Sequence, residues 1–256
     1  MPPSQRYLGR IRHVRKRILS QNLASQTSDT LISPTPDAGR KNVLSPGSLF
    51  RLHGYIPGSA DDLNDRILLN GQPVPVLYAN TNEVAIQAPW ELPPGDVPFS
   101  LDIAGDSQFI DSELVKVSPL APAFELSSAD NGIALFKGDF SGPVTAWPSP
   151  GDIVQTYMTG LGPVQGSPQT GVPAPSDVLM PLTAAIDCTV NPQQIAVPVL
   201  FAGLAPGTIG IYQVSLQWPA SAEQRPLSTL QCHITTSDGS ASTVGLLPLS
   251  LSSVQP

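Results

Sequence analysis

Apolar and polar residues alternate most cleanly in "DVPFSLDIAG" (Asp96–Gly105): Val97, Phe99, Leu101 and Ile103 fall on one side, Pro98, Ser100 and Asp102 on the other. A period of two is the mark of a strand with one buried face. "EVAIQAP" repeats it, with Val84, Ile86 and Ala88 on one face and Glu83, Ala85 and Gln87 on the other. Upstream, a Pro46-Gly47 turn leads into an apolar strand over Ser48–His53. "RILLNGQPVPVLYAN" then sets two apolar runs, the second Val74–Tyr78, around Asn70-Gly71. Asn-Gly between such runs is the strongest short hairpin signal. "QFIDSELVKV" supplies a closing strand. Short strands with turn signals every 8–12 residues predict an antiparallel sandwich over residues 43–117.

The prolines of "SPLAPAFE" (Ser118–Glu125) cannot lie in a central strand and mark a boundary. Beyond it the pattern predicts strands at Gly132–Phe136, Asp152–Thr159, Leu182–Val190, Ile195–Ala202, Gly210–Gln217, Leu227–Thr235 and Thr243–Leu251, with no helical period. Residues 118–256 read as a second sandwich. Ser25–Asn42 is polar and proline-punctuated, a linker. The predicted fold is all-β: two tandem antiparallel Ig-like β-sandwiches behind a disordered basic leader at 1–42.

Composition agrees with turns and strands, since proline (29) and glycine (21) are abundant and charged residues make up only 13%. Charge is unevenly spread. Residues 1–41 hold eight of the thirteen basic residues and only Asp29 and Asp37 of the twenty acids. The remainder keeps five basic against eighteen acidic side chains, a net of −13. An acidic body offers no basic face for a phosphate backbone, so the folded domains are not expected to bind nucleic acid. "RIRHVRKR" (Arg10–Arg17) is read as a solvated leader rather than a contact for nucleic acid or anionic lipid. No run approaches the ~18 apolar residues of a membrane span, and the leader holds no secretory apolar core.

Chemistry is sparse. "YMTGLGPVQG" (Tyr157–Gly166) has the glycines of a phosphate loop but no lysine, and Pro163 removes a donor; Gly160 and Gly162 are read as strand-end turn residues, like "GLAPG" (Gly203–Gly207). The three histidines, His13, His53 and His233, are scattered, and Ser141 in "GDFSG" lacks a nucleophile's context. No enzyme activity and no cofactor are expected. Asp61, Asp62 and Asp65 share one loop, where calcium coordination competes with a solvated loop of Asx turns. Trp90, Trp147 and Trp218 each adjoin a proline, at strand ends where a ring either packs inward or forms a platform for a ligand such as a glycan.

The only two cysteines, Cys188 and Cys232, fall mid-strand in the second domain. Facing strands across a sandwich core bring residues within the ~5.5–6 Å Cα separation of a disulfide. The expectation is a structural bridge between them, with two buried thiols as the alternative.

Two stretches also carry a family likeness. "LSPGSLFRLHGY" with "ILLNGQPVPVLYANTNEVAIQAPWELPPGDVPFSLDIAG" resembles an IPT/TIG immunoglobulin-like domain. "PGDIVQTYMTGLGPV", "VLFAGLAPGTIGIYQVSLQWP" and "SASTVGLLPLSL" resemble the uncharacterised C-terminal domain abundant in Solibacter proteins. The resemblance implies a module of a bacterial secreted or cell-surface protein, with neighbouring domains in a longer chain. Its expected role is interaction, adhesion or structure, with a protein or glycan partner. The alternative is a glycan-binding accessory module of a polysaccharide-active protein.

Overall fold

The computed structural model describes residues 43–53, 59–80, 83–101, 113–124, 132–166, 168–223, 228–245 and 249–250; the predicted leader lies outside them. They are all-β apart from one short helix. The first unit runs β1 (Val43–Leu44), β2 (Leu49–His53), α1 (Ala60–Leu63), β3 (Ile67–Leu69), β4 (Gln72–Pro73), β5 (Val76–Ala79), β6 (Glu83–Gln87), β7 (Gly95–Leu101) and β8 (Glu113–Val117). The second runs β9 (Ala123–Phe124), β10 (Ile133–Ala134), β11 (Phe136–Lys137), β12 (Ile153–Thr159), β13 (Met180–Pro181), β14 (Ala185–Asn191) and β15 (Ile195–Val197). It continues with β16 (Val199–Leu204), β17 (Tyr212–Gln217), β18 (Thr229–Thr235), β19 (Ala241–Val244) and β20 (Leu249–Ser250).

Each unit packs two mainly antiparallel sheets around a core of its own, and the second adds the two-stranded β10-β20 pair. In the first, the orders are β2-β6-β5 and β1-β8-β7-β3-β4. Phe50, Val84 and Ile86 from the small sheet meet Leu69, Val97, Phe99 and Val115 from the larger one. In the second, β11-β12-β17-β16-β13 stands with β15-β14-β18-β19. Val154, Met158, Val214 and Leu216 meet Cys188, Val190, Leu230 and Ile234. The alternation seen in the sequence is what fills these cores.

The expectation of purely antiparallel pairing is corrected at two places. β1 runs parallel to β8, Val43 opposite Lys116, and β10 runs parallel to β20, Ile133 opposite Leu249. Two predicted strands also break at proline. Val74–Tyr78 is not continuous: β4 pairs with β3 around the Asn70-Gly71 turn, whose φ values are 52° and 73°. Pro75 interrupts it, and β5 joins β6 in the other sheet. Ile195–Ala202 is likewise cut at Pro198, so β15 pairs with β14 and β16 with β17. Proline has no N–H for a ladder, which makes it a place for a chain to change sheets.

Gly160 and Gly207 take the turn geometry that the sequence suggests, whereas Gly203 stays within β16, opposite Gln213. Gly160 has φ 73°, and a Cβ there would lie 2.0 Å from the Ala121 carbonyl oxygen. Its own carbonyl accepts from the Ala121 amide (2.9 Å), so the inter-unit segment is laid against β12. Pro206-Gly207 occupies a turn closed from Thr208 N–H to the Ala205 carbonyl, with Gly207 at φ 73°.

Candidate functional site: a Trp147 cleft and a seam between the units

The cysteines are joined, Cys188 to Cys232. The geometry differs from the expectation. The two residues are direct partners on neighbouring strands β14 and β18, with Cα atoms 4.1 Å apart, so the bridge lies within one sheet rather than across the core. That separation suits the closely spaced pairs of an antiparallel ladder, about 4.5 Å apart. Both side chains are buried in the second core.

The three tryptophans take three different positions. Trp218 is only 1% exposed and is a core residue. Trp147 stands edge-on to it, ring centroids 5.1 Å apart, and donates its indole N–H to the Ala222 carbonyl at 2.9 Å. Trp90 is half-buried against the second core, and Gly47 lies so close that a Cβ there would sit 2.4 Å from its ring. Trp147 lines a sizeable cleft.

That cleft, about 760 Å³, is bordered by Lys137, Gly138, Asp139, Trp147, Asp152 and Ile153. Its acidic groups are pre-set by local turns. Asp139 accepts from the Ser141 amide (2.9 Å), and its bonds to Ser141 hold its carboxyl below the usual aspartate range. Asp152 accepts from the Ser149 amide (2.8 Å), while its backbone carbonyl caps the Trp218 amide. Next to Asp139 in the chain, Phe140 is 65% exposed and has φ 60°, a left-handed conformation uncommon for a bulky residue. Ile153, 48% exposed, lies against Gly138. In "GDFSG" the serine is the residue with a chemical signal, and nothing in the pattern distinguishes the phenylalanine.

The Asp61–Asp65 segment is not a plain loop. It holds α1, capped by Ser59: the Ser59 hydroxyl accepts from the Asp62 amide and the Asp62 carboxylate accepts from the Ser59 amide (2.9 Å) and hydroxyl (2.8 Å). This capping box occupies Asp62 and lowers its pKa, first through the backbone bond from Ser59. Among the described residues no three His, Cys, Asp or Glu side chains gather as a metal site. His233 is exposed on β18, its Nδ1 2.8 Å from the Thr243 hydroxyl. His53 ends β2, and His13 lies outside the described residues. Among the described residues no helix is long and apolar enough to cross a membrane.

The second feature is the seam. β6 is buried on both faces: Val84 and Ile86 in its own core, Glu83, Ala85 and Gln87 on the side that simple alternation would leave to water. The second unit covers that side. The Gln87 side chain accepts from the Gly171 amide at 2.7 Å. The Leu49 amide donates to the Thr159 hydroxyl (2.8 Å), which donates to the Gly210 carbonyl (2.9 Å). The Trp90 amide donates to the Thr170 hydroxyl (3.0 Å), which in turn donates to Glu91 (2.8 Å). At Gly210, φ 65°, an added Cβ would come within 2.7 Å of the Gly47 carbonyl, so the two backbones touch there.

No protein-family model matches the chain, and no curated protein matches it. Among solved structures it is similar to the SGBP-B of a Bacteroides ovatus mixed-linkage glucan utilization locus, solved with a mixed-linkage heptasaccharide. Identity is 15%, the TM-score 0.34, and the match covers 80% of this chain and 40% of that one. It is also similar to the gamma-CGTase of an alkalophilic Bacillus clarkii at 10% identity and TM-score 0.24, over 82% of this chain and 25% of that one. The chain thus spans less than half the length of either, and at these scores neither likeness bears on what it binds or does.

Proposed function

We propose that the chain is a non-enzymatic interaction module of an exported bacterial protein: two immunoglobulin-like sandwiches, 43–117 and 118–256, held as one body that displays loops to a partner. The single observation that carries this reading is the seam, where the side of β6 away from its own core is buried and hydrogen bonds join Gln87 of β6 and Leu49 of β2 to the second unit. Such a junction fixes the orientation of a display surface, which a spacer or adhesion module requires. The sandwich reading rests on the sheet orders. Those of the first unit, β2-β6-β5 and β8-β7-β3, follow the strand order of an immunoglobulin domain without its first strand. Several small antiparallel sheets also suggest a propeller-like arrangement; two separate hydrophobic cores, one in each unit, support sandwiches instead. The likeness of the two units to IPT/TIG and Solibacter-type domains is part of the same proposal. Export is supported by the bridged Cys188–Cys232 pair, since reducing compartments keep such thiols open.

A second reading, glycan binding, is favoured by the Trp147 cleft. An aromatic wall beside Asp139, Asp152 and Lys137 pairs a stacking surface with hydrogen-bonding groups, as sugar rings need. A polysaccharide array probed with the protein and its Trp147→Ala variant separates the two. Binding lost in the variant establishes the glycan reading at this cleft. Uniformly absent binding leaves the display module, which fails in turn if the two units tumble independently in solution.

A further inference from the structure

A second cavity lies inside the seam. About 330 Å³ in volume, it has apolar walls from Leu49, Leu77, Ile209 and Ile211 and a polar patch at Arg51 and Tyr78. Arg51 is 6% exposed, and its Nε lies 3.5 Å from Glu83 Oε1. The Tyr78 hydroxyl donates to the same oxygen, and the guanidinium carbon lies 6.0 Å from the Tyr78 ring centre. Well-packed interiors leave few voids larger than a water, whereas small-molecule sites of about 300–1,000 Å³ are commonly found at domain interfaces. An engineered apolar cavity of about 150 Å³ holds benzene. This one is about twice that size and is bounded by both units.

We propose that the cavity between the two units is a binding site for a small, uncharged, mainly apolar molecule, aromatic or branched aliphatic, with at most a hydroxyl or carbonyl oxygen. The charge balance selects its class. Arg51 and Glu83 neutralise each other, so a charged ligand would bring an uncompensated charge into a half-enclosed site. A neutral one buries its surface against the four aliphatic walls and sets a lone oxygen toward the guanidinium. Burial and the Glu83 bond push the Tyr78 hydroxyl up to about 12, which keeps it neutral as well. The site exists only while the units are seated together, so it rests on the display-module reading. Occupancy would strengthen that seating, because a ligand touching both units binds only the closed arrangement.

The neutral fluorophore N-phenyl-1-naphthylamine tests the site on the intact protein. The expected result is saturable one-site fluorescence enhancement, with intermolecular NOEs from the probe to the methyls of Leu49, Leu77 and Ile211. Trp147→Ala should bind as the parent does. Ala85→Trp and Ile209→Trp, which fill the cavity from opposite walls, should weaken binding by about ten-fold or more. Should Ala85→Trp fail to fold, Ile209→Trp, at a half-buried position, decides. No saturable enhancement, or parent-like affinity in the folded filled variants, overturns the inference. If the probe fails while the units still hold one fixed separation, the site is refuted and the seam stands.

Discussion

The two units are built to one plan and fastened in two ways. β2-β6-β5 in the first corresponds to β12-β17-β16 in the second, and β8-β7-β3-β4 to β19-β18-β14-β15. Each passes between sheets at a proline, Pro75 or Pro198, and each lays an early strand parallel to its last. The second unit is self-contained, with a disulfide between β14 and β18 and a Trp147–Trp218 pair at its core. The first has no bridge and leans on its neighbour, because buried Gln87 on the outer side of β6 accepts its hydrogen bond from Gly171 of the second unit. The same strand order therefore sets the topology in both, while stability comes from covalent closure in one and from the seam in the other.

The largest expected effect strikes the self-contained unit. Trp218→Ala should destabilise it by about 3–5 kcal/mol, because it empties a fully buried site and strips Trp147 of its partner. Urea unfolding followed by the remaining tryptophans reads this directly. Next comes the bridge. Replacing Cys188 and Cys232 by alanine opens a closed loop of 44 residues' separation and should cost about 2–4 kcal/mol. An equal loss in the parent on adding reductant would confirm that the covalent link itself is responsible.

The seam variant is milder and shifts the comparison to the first unit. Gln87→Leu leaves the half-buried Gly171 amide without its acceptor, a cost of about 1 kcal/mol. Amide exchange should then quicken in β2 and β6 while β14 and β18 keep their protection. The smallest effect is alkaline. Burial, and then its bond to Glu83, raise the Tyr78 hydroxyl from the ordinary 10.0 to about 12. With the folded value above the unfolded one, the contribution is complete below pH 10 and disappears as pH climbs through about 12. The parent should accordingly lose stability over that window more steeply than Tyr78→Phe.

Much of this was legible in the chain because it depends on local pattern. Alternation located β6 and β7, the strand pattern beyond the proline boundary marked β12 and β17, and Asn70-Gly71 located its hairpin. What escaped depends on what lies opposite. Nothing in "PVPVLYAN" or "IAVPVLFAG" says that proline there divides one strand between two sheets rather than ending it. Glu83, Ala85 and Gln87 look like an outer face, since sequence period reports sidedness and not whether a neighbour covers the second side. The cysteine pairing followed from their number, but its register, Cys188 opposite Cys232, needed the ladder. Serine and aspartate at Ser59 and Asp62 spell a capping box, a signal overshadowed by the acidic cluster around it. Asp139, Trp147 and Asp152 come together through the β11–β12 connection, which no periodic pattern describes.

The central claim is that the seam fixes the two units relative to each other. With the native cysteines bridged, Gln72→Cys and Asp187→Cys, both exposed and in different units, accept a pair of nitroxide labels. Pulsed electron–electron double resonance then gives the distribution of distances between them. A fixed seam predicts one narrow peak in the parent, no broader than the labels' own mobility allows, that spreads when Gly210→Val forces the touching backbones apart. A broad distribution in the parent, unchanged by Gly210→Val, would contradict it.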